Sequence, residues 1–97
     1  MPNPSPQEPQ EEEHPALKRY SLGQLAEMCR ENVVKNQPKL LKELRSSGSR
    51  GLEGFVQDRA KAAQSSARSL LRCGFQPHEA WDQAIRENLL VAWDEQG

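Results

Sequence analysis

Residues 52–73, "LEGFVQDRAKAAQSSARSLLRC", constrain the fold more than any other stretch of the chain. Leu52, Phe55, Val56, Ala60, Ala63, Ala67, Leu70 and Leu71 recur at intervals of three and four without an internal proline, which predicts one long amphipathic helix. At 1.5 Å per residue it would extend roughly 33 Å. Its apolar face carries alanines at the centre, so a neighbouring helix can approach closely. No run of β-branched residues alternates with period two anywhere in the chain, and strands are therefore not expected.

The segment that follows, "CGFQPHE", has the composition of a tight joint between helices. Gly74 stands where a left-handed residue ends a helix without steric cost, and Phe75 is placed for the hydrophobic contact that accompanies such an ending. Pro77 and Glu79 suit the first turn of a new helix, through a preset backbone angle and a favourable negative charge respectively. That helix is predicted over residues 77–93, burying Trp81, Ile85, Leu89 and Ala92. Upstream, "SLGQ" pairs Ser21 with Gln24 as a reciprocal cap for a helix over 21–36, whose buried stripe is Leu22, Leu25, Ala26, Cys29 and Val33. Pro38 ends it and opens a short helix over 38–47 that offers Leu40, Leu41 and Leu44. "RSSGSRG", residues 45–51, reads as a loop.

The fold class expected is thus all-α: a small bundle of about four helices, residues 17–97, behind a disordered acidic and proline-rich tail at 1–16. Five prolines and four glutamates within residues 1–15 leave too little apolar surface there to offset ordering entropy. With 35% hydrophobic and five aromatic residues in 97, the core must be lean, and association can contribute to stability. The longest apolar run, residues 89–93, is far too short for a membrane span. Two cysteines 44 positions apart lack the density of a secreted disulfide scaffold, so reduced thiols in a cytoplasmic protein are expected.

The net charge of −1 conceals an uneven layout: residues 16–72 hold 12 basic and 5 acidic residues, and the two ends are acidic. Lys61, Arg68 and Arg72 project within about 40° of one another on the outer face of the long helix. Lys39, Lys42, Arg45 and Arg50 extend this ridge, and together they are the candidate nucleic-acid contacts. The ridge lacks aromatic side chains that could stack on bases. Residues 21–44 depart from a helix-turn-helix pattern at Arg30, where glycine is usual, and at Pro38. Arg59, in the middle of the alanine-rich stripe, must reach water past apolar surface, pair with a carboxylate of a neighbouring helix or face a partner.

Catalytic and metal chemistry find little support. Cys73 and His78 lie five positions apart, with Cys29 as the only further ligand for a metal that needs about four. No oxyanion motif or orienting third residue accompanies a Cys/His pair, and no glycine-rich phosphate loop follows a strand. No catalytic residue, metal ligand, cofactor or small-molecule substrate is expected. On a continuous helix over 77–93, Leu90 and Trp93 project about 180° and 120° from Trp81, outside the buried stripe. A tryptophan and a leucine edged by Asp82, Asp94 and Glu95 have the composition of an interface anchor. The function expected is a non-catalytic interaction module that docks this face on a protein partner or on itself; the alternative is a small nucleic-acid-binding accessory protein that uses the basic ridge.

Overall fold

The capping and periodicity of the chain translate into helices throughout the part that the computed structural model describes, residues 14–48 and 50–96. A 3-10 turn, Pro15–Arg19, precedes α1 (Leu22–Asn36), α2 (Pro38–Ser46), α3 (Gly51–Arg72), α4 (Pro77–Asn88) and a last short helix, α5 (Trp93–Gln96). Among the described residues there is no strand. The tail expected at residues 1–13 lies outside the described residues, but residues 14–16, also assigned to it, belong to the fold. Pro15 starts the 3-10 turn, and the turn buries Leu17.

The long helix is the centre of the molecule. α3 packs against α1 and α4, and α2 and the 3-10 turn also touch it. Val56, Ala60, Ala63 and Ala67 are fully buried on its inner face, in one cluster with Leu25, Cys29 and Val33 of α1 and Ala80, Trp81 and Ala84 of α4. Alanine on the central helix and on α4 permits close helix contact. The large side chains that fill the remaining space are few: Trp81, Leu25, Leu89, Val33 and Val56. At about 1.5–3 kcal/mol for each fully buried side chain, the stability of the domain depends on this handful. Leu40, Leu41 and Leu44 of α2 are only partly buried, and that helix contributes no fully buried residue. Arg30 joins α1 to α3 through both carboxylate oxygens of Glu53, at 2.7 Å from Nη2.

Local signals govern the helix ends. Ser21 Oγ accepts from the Gln24 amide at 3.1 Å while Gln24 Oε1 accepts from the Ser21 amide at 2.8 Å, the reciprocal cap read from "SLGQ". At the α3–α4 joint Gly74 has φ +96°, the left-handed region. Its amide donates to Leu71 O and the Phe75 amide to Leu70 O, both at 3.1 Å, so the last carbonyls of α3 are satisfied in the Schellman arrangement. Phe75 itself is 41% exposed. α3 begins at Gly51, where a Cβ would lie 2.9 Å from the Leu44 carbonyl carbon and closer still to its oxygen, so the crossing of α2 and α3 requires glycine.

The main departure from expectation is α4, which ends at Asn88 rather than near residue 93. Leu89 turns fully inward, Leu90 turns outward, and the chain restarts as α5 at Trp93. Ala80 and Ala84 are buried beside Trp81, while Ile85 and Ala92 are only half-buried. No glycine or proline marks this break. Its cause lies in side chains from elsewhere in the fold.

Candidate docking surface

Ending α4 at Asn88 frees carbonyl groups that an isolated helix would leave to water. Arg59 supplies one set of partners: Nε donates to Asn88 O at 3.0 Å and Nη2 to Asn88 Oδ1 at 2.6 Å. A cation at a helix C-terminus also interacts favourably with the helix dipole. Arg59 therefore pairs with the end of α4, not with a carboxylate. Asn32, buried on α1, donates through Nδ2 to Leu89 O at 3.1 Å and Val91 O at 3.0 Å. Gln37, buried at the α1–α2 junction, donates to Val91 O at 2.9 Å and accepts from the Asp94 amide at 2.7 Å.

Asp94 completes the exchange. Its Oδ2 and Oδ1 accept from the amides of Lys39 and Leu40, each at 2.9 Å. These are the second and third positions of α2, whose own N-cap, Gln37, makes no side-chain capping bond. Asp94 thus serves as an N-cap supplied from the other end of the sequence. Trp93 rests edge-on against Phe55, with ring centroids 5.1 Å apart.

This geometry divides the predicted Leu90, Trp93, Asp82, Asp94 and Glu95 face. Trp93 is half-buried on α3 and Asp94 half-buried on α2, because the break in α4 rotates both toward the core. Glu95 is exposed on α5. Leu90 remains outside, 50% exposed, and with Asp82 it lines a cleft of about 230 Å³ whose other walls include Arg19, Tyr20, Trp81 and Ile85. On its other side Leu90 borders a second cleft of about 250 Å³, formed with Met28, Glu31, Asn32 and Lys35. Leu90 is therefore an apolar ridge between two hollows. Arg86 and Asp82 form an ion pair one helical turn apart on the rim, and Lys35 and Glu31 form another at 4.0 Å.

The predicted basic residues are distributed over two elements and a loop. Lys61 and Arg72 are exposed on α3, and Arg68 between them is half-buried and engaged in an interaction. Lys39, Lys42 and Arg45 are exposed on α2, and Arg50 is exposed just before α3. His78 is an exposed first-turn residue of α4 that contributes to the wall of the smaller cleft. Cys73 is exposed and Cys29 buried. Burial pushes the Cys29 thiol up to about 11, against the opposing influence of the Arg59 and Arg30 charges. Among the described residues no group of three or more His, Cys, Asp or Glu side chains is placed to hold a metal ion. No described helix is long and apolar enough to cross a membrane.

Residue reasoning missed Asn32, Gln37 and Asn88, the polar groups that set the break. One signal was present: Asn32 occupies the apolar stripe between Cys29 and Val33, where a polar side chain implies a buried partner. Met28, Tyr20 and Arg19 were missed because the clefts they line exist only after the chain at residues 19–20 meets α4 and α1 meets Leu90. In comparisons with known proteins, the chain matches no protein-family model, no curated protein and no solved structure.

Proposed function

We propose that this protein is a small non-catalytic interaction module that docks its Leu90 face on a protein partner. The observation that carries the reading is the position of Leu90 itself. A half-exposed leucine stands between two hollows floored by Tyr20, Trp81, Ile85 and Met28, and paired charges rim the patch. An apolar centre inside a polar rim is the anatomy of a protein interface. The clefts, near 230 and 250 Å³, fall below the roughly 300–1,000 Å³ typical of small-molecule pockets, but each accommodates a side chain. Trp93 and Asp94 support this surface from within, since they hold the segment that presents Leu90. A cytoplasmic location accords with two unpaired cysteines, one of them exposed.

The test is a photo-crosslinking amino acid placed at position 90 and, separately, at position 61, in cells that make the full chain. A discrete protein adduct from position 90 and none from 61 is the expected result. Absence of any adduct from position 90 would overturn the docking reading. A second reading, an accessory protein that binds nucleic acid, draws on the exposed Lys61 and Arg72 and on the cations of α2. It requires DNA binding that weakens steeply with salt and disappears when Lys61 and Arg72 are replaced by glutamine.

A further inference from the structure

We infer that the occupant of the Leu90 face is a second copy of this chain, related to the first by a two-fold axis; the inference rests on the docking reading above. A two-fold interface is self-complementary, so the patch must carry both the projecting group and the hollow that receives it. This one does. Leu90 projects at the common edge of two clefts, and the clefts are sized for side chains of a facing copy.

The charges favour the same occupant. Arg19, Arg86 and Lys35 share the rim with Asp82 and Glu31, so the patch has no single-sign field to select a strongly acidic or basic partner. The whole chain carries only −1, and two copies approach without appreciable repulsion. The side chains of Arg86 and Asp82 are 68% and 61% exposed, which leaves both available to pair again across an axis. The other large exposed apolar residues, Val34 and Phe75, line neither cleft and so lie outside the proposed contact.

Sedimentation equilibrium of the purified full chain up to about 1 mM tests the inference. A small interface of this kind belongs to the weak class, below about 1,200 Å² in total, and the expected dissociation constant is between about 10 μM and 1 mM. Leu90→Ser should return the mass to that of the monomer with an unchanged circular dichroism spectrum, whereas Phe75→Ser should dimerise like the parent. Should Leu90→Ser lose helicity, Arg86→Glu provides the same readout, because it removes a cation from the rim and must weaken the dimer. A chain that stays monomeric near 1 mM, or a dimer indifferent to Leu90→Ser or Arg86→Glu, overturns the inference. A monomer that still crosslinks to another protein through position 90 would remove only the second copy and leave the docking function standing.

Discussion

Cys29 and Asn32 lie one turn apart on the buried face of α1, and the interior treats them differently. Asn32 is satisfied because its amide finds two backbone carbonyls, at 3.1 and 3.0 Å, so its burial fixes the path of residues 89–91 rather than costing stability. Cys29 has apolar surroundings, and burial pushes its thiol up to about 11. A folded-state value above the unfolded one means that the native state retains the proton longer. The resulting contribution to stability is complete below the ordinary thiol range and is lost as pH rises from there toward 11. Urea midpoints measured between about pH 8 and 11 should therefore decline, and part of that decline should vanish in Cys29→Ala. A thiol reagent at neutral pH should modify Cys73 alone until the chain is unfolded, because only Cys73 is exposed.

Among the elements, α2 and α5 are each too short to persist alone, and the Asp94 carboxylate ties α5 to the start of α2. α2 lacks a side-chain cap of its own, and Asp94 provides one across 55 positions of sequence. Loss of an N-cap costs about 0.5–2 kcal/mol. Asp94→Ala should fall at the upper end of that range, since two hydrogen bonds from backbone amides and a negative charge near the α2 terminus disappear together. At about 4–8 °C per kcal/mol for a domain of this size, calorimetry should show a clear drop in melting temperature. Asp94→Asn, which keeps one acceptor oxygen, should recover part of it. An unchanged melting temperature in Asp94→Ala would mean that the cap carries no weight.

On the scale of the whole molecule, Trp81 ties the first described residues to the last long helix. Its indole donates to Ala16 O at 2.8 Å and its ring meets Tyr20 edge-on at 5.0 Å, so the 3-10 turn is strapped over the core through one side chain. Trp81→Phe keeps an aromatic ring but leaves the Ala16 carbonyl without its donor. The expected loss is about 1–3 kcal/mol, the cost of an unsatisfied partly buried group together with some lost contact. Faster amide exchange over residues 14–20 should accompany it, with α3 still protected, because α3 is held independently by α1.

The sequence determined what depends on near neighbours along the chain. The helical periodicity of residues 52–71, the Ser21–Gln24 cap, the proline start of α2 and the left-handed Gly74 are properties of a few adjacent residues, and local stereochemistry settles them wherever the rest of the chain lies. The break after Asn88 is of another kind. Residues 88–93, "NLLVAW", continue a helical pattern without glycine or proline, and the same periodicity assigned Leu90 and Trp93 to one outer face. Arg59, Asn32 and Gln37 overrule that pattern by giving the interrupted backbone better partners than the next helical turn would. Those donors and acceptors lie 29 to 59 positions away, and only the packed tertiary structure brings them within hydrogen-bond range. For the same reason the Leu90 ridge was legible as an exposed leucine, while its two flanking clefts, made by the 3-10 turn and α1 meeting the end of α4, were decided by the fold.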